Sequence, residues 1–231
     1  MEYKYIEVLK KYRDANKTSS PKDEFNKLFA QFSDGKGIKN MGGFRIRKSA
    51  ATGSVAFVIL ITNSNEAEWP DSLDIDNSTF TYYGDKRRPY VAVDDELHKT
   101  SPQGNILLRD IFINLDKQHR SEIPPFLIFK KTNKNEGVYM NFLGLAAPGI
   151  ACKEPLSCLK ALWCKDENDK YFLNYEALFS IIDVDRIPLK WLDDIIKTGK
   201  VVKSSYCPDA WATWANTGSY LKLSYQNYLF K

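Results

Sequence analysis

The chain has 231 residues, which is enough for one substantial domain with a full core but too few for a large multidomain enzyme. Hydrophobic residues make up 43% of the chain and charged residues 27%, a balance that excludes a disordered or membrane-embedded protein. The longest apolar run, Val55–Ile61, is far shorter than the ~20 residues of a membrane helix, so we expect no membrane partner. A net charge of +4 does not by itself indicate nucleic acid, and only two histidines nearly exclude a histidine-cluster mechanism.

The four cysteines carry a further restriction. They form no C-x-x-C pair and have no histidine close by in the sequence, so a zinc site is not expected. The residues after Met1 do not form a signal peptide, because no apolar stretch follows a basic start. We therefore predict buried thiols in a reducing compartment and a cytoplasmic location.

Residues 1–36 are predicted to form a helical segment that packs on the core. Tyr5, Leu9 and Tyr12 have the spacing of one helix face, and Ser20 with Pro21 resembles a helix start. The second helix would carry an apolar stripe at i, i+3, i+4 and i+7: Phe25, Leu28, Phe29 and Phe32.

Residues 37–231 are predicted to form the main domain, with strands dominating its first part. The predicted strands are Phe44–Arg47, Val55–Thr62, Phe80–Tyr83, Phe126–Lys131, Val138–Leu145, Leu159–Cys164 and Tyr171–Ile182. The predicted helices are Gly104–Gln118 and Pro188–Thr198, the latter ending at Gly199. The last thirty residues have no clear period. We predict a single α+β domain with a strongly curved sheet and flanking helices.

No catalytic motif is present. The chain lacks G-x-G-x-x-G, Walker A, H-E-x-x-H, G-x-S-x-G and EF-hand patterns. The acid-x-Lys match Glu2-Tyr3-Lys4 has no partner acid, and such matches arise by chance in a charged chain. The sequence therefore predicts no catalytic residue and no metal site.

The window Trp69–Pro89 concentrates aromatic rings, acids and a basic triplet. A protein that extrudes a base from duplex DNA needs flat faces to stack it, an acceptor for the cytosine amino group and cations for phosphates. A strand with core aromatics, preceded by an acidic loop and followed by a solvated basic turn, has the same composition. Composition leaves both interpretations open.

The order of motifs along the chain resembles a known family. The shared elements are Trp69-Pro70-Asp71 and Phe80-Thr81-Tyr82-Tyr83-Gly84-Asp85, followed by weaker ones at Leu97-His98, Gly104-Asn105, Ile123–Phe129, Phe142–Gly149, Asn174-Tyr175 and Trp191-Leu192. Over roughly residues 40–215 the chain resembles the N-terminal SRA-like modified-cytosine recognition domain of the AspBHI family of modification-dependent restriction endonucleases. This resemblance implies an SRA-like curved β-sheet or barrel. Tyr90 and Lys99 depart from the pattern, so a flanking-sequence preference is not carried over.

The resemblance also implies site residues. Tyr82 would form one face of a cage around the flipped base, and Trp69 or another aromatic in the entry loop the other. Asp71 would accept from the cytosine amino group. Tyr83 and Asp85 are further candidates for this pocket. The candidate contacts to the DNA backbone or grooves are Arg45, Arg47, Lys48, Lys86, Arg87 and Arg88. The structural alternatives are a core role for Tyr82 and a role for Asp71 as a helix or turn cap.

The implied function is a double-stranded DNA binding module that flips and reads 5-methylcytosine or 5-hydroxymethylcytosine for a fused or separate nuclease. This chain itself would not be an enzyme and would need no cofactor, with Mg²⁺ expected only for the nuclease. One alternative is a self-contained metal-dependent endonuclease that uses Asp71, Asp74 and Asp85. Another is an aromatic-rich protein-interaction domain.

Overall fold

A computed structural model describes residues 3–15, 22–38, 42–63, 71–86, 88–89, 91, 93–100, 103–134 and 137–229. Its strands are β1 (Tyr5–Glu7), β2 (Lys11–Asp14), β3 (Phe44–Lys48), β4 (Val55–Thr62), β5 (Ser72–Asp74), β6 (Thr79–Tyr83), β7 (Val93–Asp94), β8 (Phe126–Lys134), β9 (Gly137–Pro148), β10 (Leu159–Lys165), β11 (Tyr171–Ile181) and β12 (Arg186–Pro188). Its α-helices are α1 (Glu24–Ala30), α2 (Gly104–Asp116), α3 (Leu189–Thr198), α4 (Asp209–Thr217) and α5 (Gln226–Leu229).

Ten of these strands form one mixed sheet. Its main path runs β3-β4-β8-β9-β11-β6-β5, while β2 pairs with β9, and both β7 and β10 pair with β11. Within the described residues the path ends in two different strands, β3 and β5, so the sheet does not close on itself. The prediction of a single domain with strands and helices is confirmed, and this domain is mainly β-sheet with a few helices. The predicted barrel is wrong.

The first part of the N-terminal segment is extended, so the helix predicted over Tyr5–Tyr12 is wrong. Strand β1 pairs with β12, and β2 pairs with β9, so this segment adds strands to the fold instead of a helix. Leu9 lies between the two strands with a φ of 61°, which a continuous right-handed helix does not allow. Ile6 in β1 and Tyr12 in β2 are buried, so the apolar residues of this segment face the core from two short strands.

The second predicted N-terminal helix is confirmed as α1, with a different start. Asp23 caps it, because its side chain accepts a 3.0 Å hydrogen bond from the Asn26 backbone N–H. The predicted cap at Ser20 and Pro21 lies outside the described residues. Phe32 is buried, although it follows the end of α1.

The strands and helices predicted for the main domain are confirmed, with end positions that shift by a few residues. Helix α3 ends as predicted, since Gly199 has a left-handed φ of 70°. Helix α4 was not predicted; its buried Trp211 and Trp214 pack with ring centroids 4.8 Å apart.

No α-helix within the described ranges is long and apolar enough to cross a membrane. All four cysteines are free, and the prediction of buried thiols holds for Cys158 and Cys164 but not for the exposed Cys152.

A β-bulge bends the centre of the sheet. Ile128 pairs with Gly144 and the next residue, Phe129, pairs with Phe142, so the partner strand carries one extra residue. Gly144 has a φ of 154°, and a Cβ there would lie 2.5 Å from Cγ2 of Ile181. The bulge and the crossing of β11 are therefore compatible only with glycine at this position.

Gly144→Ala should lower the free energy of unfolding by about 2–4 kcal/mol, because a left-handed backbone cost of about 1–2 kcal/mol adds to overpacking. Gly53→Ala is the matched control: its φ is 72° and no atom lies within 4 Å of its Cβ position. Urea denaturation measures both, and equal losses would contradict the proposed contact with Ile181.

Candidate nucleic-acid interface

Asp71 and Tyr82 lie next to each other on the β5–β6 hairpin. Ser72 pairs with Thr81 in this hairpin, and the same register extended by one residue sets Asp71 opposite Tyr82. The Asp71 carboxylate accepts a 2.9 Å hydrogen bond from the backbone N–H of Tyr83. Two of the predicted pocket residues are thus brought together, while Trp69 lies outside the described residues.

Tyr82 is part of the core in this conformation. Only 3% of its surface is exposed, and its ring centroid lies 6.0 Å from Phe44 and 6.4 Å from Phe80. Stacking on a base would require that one face of the ring be uncovered. The core interpretation and the pocket interpretation of Tyr82 therefore differ by a local rearrangement.

Tyr83 projects to the other face of the sheet, because successive strand residues alternate. Its hydroxyl donates a 3.1 Å hydrogen bond to the Glu176 carboxylate on the paired strand β11. Burial, followed by the charge of Glu176, raises the pKa of the Tyr83 hydroxyl. The structure does not bring Tyr83 to the side of Tyr82, and no pattern in the sequence predicted a role for Glu176.

Asp85 caps the start of helix α2 from outside the helix. Its two carboxylate oxygens accept from the backbone N–H groups of Gly104 at 2.8 Å and Asn105 at 3.1 Å. Burial raises the pKa of this carboxyl group and outweighs the lowering effect of its hydrogen bonds. These contacts give both oxygens of Asp85 a structural role at the helix start, and its role in the pocket stays a prediction.

Two buried asparagines form, with the loop after β6, a cluster that we call the amide cluster: Gly84, Asp85, Asn105 and Asn174. The Asn105 side-chain amide donates to Asn174 Oδ1 at 3.0 Å and to the Leu97 carbonyl at 2.8 Å, and its oxygen accepts from the Asp85 N–H at 3.0 Å. A Cβ on Gly84 would lie 2.2 Å from Asn105 Oδ1, so only glycine fits. The cluster fixes the loop to α2 and β11.

The predicted basic contacts divide by burial. Lys86 is 3% exposed, lies 2.7 Å from the Asp94 carboxylate and donates to the Glu96 carbonyl. Arg45 is buried over the Phe25 ring, and this burial lowers the pKa of its guanidinium. Burial therefore argues against the DNA contacts predicted for Lys86 and Arg45.

The other basic candidates are more accessible or lie outside the described chain. Arg47 is half-buried and donates to both oxygens of Asp34. Lys48 and Arg88 are exposed, whereas Arg87 lies outside the described residues. Lys48 and Arg88 thus remain the most accessible of the predicted contacts for which a position is described.

The three acids considered for a metal-dependent nuclease serve different parts of the backbone. Asp71 accepts from Tyr83, Asp74 from Asn77 at 2.9 Å, and Asp85 from the start of α2. A search of the described residues finds no group of three or more His, Cys, Asp or Glu side chains able to hold a metal ion. The geometry gives the nuclease alternative no support from these acids.

Comparison with known protein families matches residues 6–226 to the family described as "Restriction endonuclease AspBHI N-terminal". The chain belongs to this family. It is similar to the solved structure of the DNA modification-dependent restriction endonuclease AspBHI, with 33% identity, a TM-score of 0.77, and coverage of 95% of this chain and 94% of that one. No curated protein matches the chain.

Two further solved structures share the fold. The DNA recognition domain of the cytosine modification-dependent restriction endonuclease LpnPI is 27% identical, with a TM-score of 0.76 and coverage of 95% of this chain and 91% of that one. MspJI in complex with a 27-mer oligonucleotide is 16% identical, with a TM-score of 0.74 and coverage of 96% of this chain and 55% of that one. At that identity the MspJI match shows the fold alone.

The motifs that carried the family resemblance meet in the amide cluster. Gly84-Asp85, Gly104-Asn105 and Asn174-Tyr175 supply its members, and Leu97-His98 supplies an acceptor and a partner for Tyr175, with His98 Nε2 3.1 Å from the Tyr175 hydroxyl. Among these residues only Asp85 had a predicted role, in the base pocket, and their contacts with one another were not predicted. No local pattern indicates this cluster, because Gly84, Asn105 and Asn174 come together only in the folded chain.

Asn105→Ala should lower the free energy of unfolding by about 2–4 kcal/mol, because it removes hydrogen bonds and leaves buried partners unsatisfied. Asn114→Ala is the matched control on the same helix: Asn114 is half-buried and its side chain makes no hydrogen bond within the described chain, so its loss should stay within about 0.5 kcal/mol. Thermal and urea unfolding measure both. A loss in Asn105→Ala no larger than in the control would show that the amide cluster does not support the loop.

Proposed function

We propose that this domain binds double-stranded DNA containing modified cytosine, flips the modified base and reads it for a nuclease. Support comes from relatives that are described as modification-dependent restriction endonucleases or their DNA recognition domains. The observation that carries the proposal for this chain is the Asp71 carboxylate, which the Tyr83 N–H orients beside Tyr82.

Asp71 has the chemistry to read a flipped cytosine. The amino group on C4 of cytosine is a donor, and a carboxylate accepts from it in a charge-assisted hydrogen bond. The backbone bond from Tyr83 holds the carboxylate before the base arrives. Tyr82 would stack on one face of the base, and Trp69 on the other.

The energies constrain how the modification is recognised. Extrusion costs a few kcal/mol, and stacking contributes about 1–3 kcal/mol per face, so two faces and one charge-assisted bond offset it. Burial of one methyl group contributes only about 0.8 kcal/mol, roughly fourfold in affinity. Useful discrimination therefore needs a further penalty when the methyl is absent, such as an unfilled void or a loop that stays open.

Cleavage of the DNA would be carried out by another domain. The reading chain requires no cofactor, and Mg²⁺ belongs to the fused or separate nuclease, which acts with it in the cytoplasm. The parent protein is then a modification-dependent restriction endonuclease. The candidate modifications are 5-methylcytosine and 5-hydroxymethylcytosine.

The direct test compares binding to three duplexes that differ at one cytosine: unmodified, 5-methyl and 5-hydroxymethyl. A 2-aminopurine placed beside that cytosine reports unstacking by fluorescence. We expect tighter binding to at least one modified duplex together with a fluorescence rise. Equal affinity for all three duplexes would exclude the proposed reading function, and no binding even at low salt would favour a protein-interaction domain.

Asp71→Ala should weaken binding to the preferred modified duplex by about 10- to 150-fold, because a hydrogen bond to a charged group contributes about 1.5–3 kcal/mol. Asp74→Ala is the matched control, since it removes the same charge from the same hairpin at an exposed position. It should keep the preference for the modified duplex. Equal binding by the two variants would remove Asp71 from the pocket.

Tyr82→Leu should weaken binding to the modified duplex by about 5- to 150-fold through the loss of stacking worth about 1–3 kcal/mol. Phe80→Leu changes a buried ring on the same face of β6 and controls for the loss of core packing. Affinity is measured on variants whose folding is confirmed by circular dichroism. If both variants lose affinity equally, Tyr82 acts only as a core residue.

A further inference from the structure

A concave site lies at the C-terminal end of helix α2. It is a cavity of about 310 Å³ between the residues that follow β9 and those that follow α4. Its lining includes Leu115, in the last turn of α2, whereas Asp85 and the amide cluster hold the first turn. A helix of 13 residues is about 20 Å long, so α2 separates this cavity from the amide cluster.

The lining of the cavity is cationic. Arg120 and Lys153 both contribute to it, both are half-buried, and no carboxylate is among the lining residues in the described chain. Neither cation forms an ion pair with a described residue, and the Nε of Arg120 is buried without a hydrogen-bond partner. Arg47 and Lys86, by contrast, each pair with an aspartate. Charges that are partly removed from water without a partner carry a desolvation cost that an anion would offset.

Glycines keep the cavity open. Gly218 has a φ of 79°, and a Cβ there would lie 3.3 Å from Cζ of Arg120. Gly149 has a φ of 85°, and a Cβ there would lie 2.6 Å from the Tyr220 hydroxyl, which is itself fixed by a 2.7 Å bond to the Pro148 carbonyl. The walls are therefore set by backbone geometry and by an anchored tyrosine.

Helix α4 explains part of this arrangement. Its C-terminus, at Gly218, carries the negative end of the helix dipole and stabilises a nearby cation such as Arg120. That interaction does not account for Lys153, for the cavity itself or for the missing hydrogen-bond partner of Arg120 Nε.

We propose that this cavity binds a phosphate group through Arg120 and Lys153. The arginine fork matches phosphate oxygens in a bidentate manner and the lysine adds a point charge. The volume lies at the lower end of the roughly 300–1,000 Å³ of small-molecule sites, which suits a phosphate with a small substituent. The phosphate can come from a free phosphate compound or from the backbone of a duplex.

The first experiment titrates the chain with inorganic phosphate in a buffer free of other phosphate and sulfate, followed by calorimetry and by NMR shifts. Arg120→Gln and Lys153→Gln should each weaken saturable binding at least tenfold. Lys200→Gln, at an exposed lysine without an ion pair, is the control and should bind as the unmodified chain does. Absence of saturable binding, or binding that Arg120→Gln leaves unchanged, would overturn the proposal; circular dichroism confirms that each variant folds.

The second experiment identifies the source of the phosphate. Affinity for an unmodified and a methylated duplex is measured over a range of salt concentrations for the same variants. If the duplex supplies the phosphate, Arg120→Gln lowers the slope of log affinity against log salt by about one for both duplexes. An unchanged slope, with inorganic phosphate binding lost in Arg120→Gln, assigns the site to a free phosphate compound. If the chain binds no duplex, the proposed DNA-reading function is wrong. The titration with inorganic phosphate still tests the phosphate site independently of that result.

Discussion

The hydrogen bond between the side chains of Asn105 and Asn174 joins helix α2 to strand β11 beneath the loop that follows β6. A buried amide side chain carries two donors and one acceptor, and leaving any of them unpaired is costly. The two asparagines meet this demand with backbone groups of the loop, at Asp85, Lys86 and Leu97. The helix and the strand therefore determine the path of a loop that has almost no ladder partners of its own.

The ion pair between Lys86 and Asp94 adds to this constraint. Both side chains are 2% exposed, so the pair gains little net stability over an apolar contact, but separating the partners would leave a buried charge. Such a pair favours one loop conformation over its competitors. Lys86 thus has a structural role, and its contact with DNA stays a prediction.

Local patterns predicted much of the fold, and long-range contacts decided the rest. Strands β4 and β6 are predicted by the sequence, but β5, the strand that brings Asp71 to the backbone of β6, lies in a stretch that was predicted to be an acidic loop. The contacts of Asp85 were not predicted, because its partners, the N–H groups of Gly104 and Asn105, lie 19 and 20 residues further along the chain.

The N-terminal error has a similar cause. The spacing of Tyr5, Leu9 and Tyr12 is compatible with one helix or with two short strands. The left-handed backbone at Leu9 interrupts a continuous helix, so the two short strands form instead. Sheet closure is likewise absent from any local pattern, since it depends on whether β3 and β5 meet.

The two interpretations of Asp71, as a turn cap and as a reader of the base, are compatible. A carboxylate has about four acceptor positions on its two oxygens, and the Tyr83 N–H occupies at least one of those of Asp71. If the side chain rotated away, it would break that bond and leave the backbone donor without this acceptor. The cap therefore fixes the direction of the acceptor during folding, so that binding a base does not have to order it.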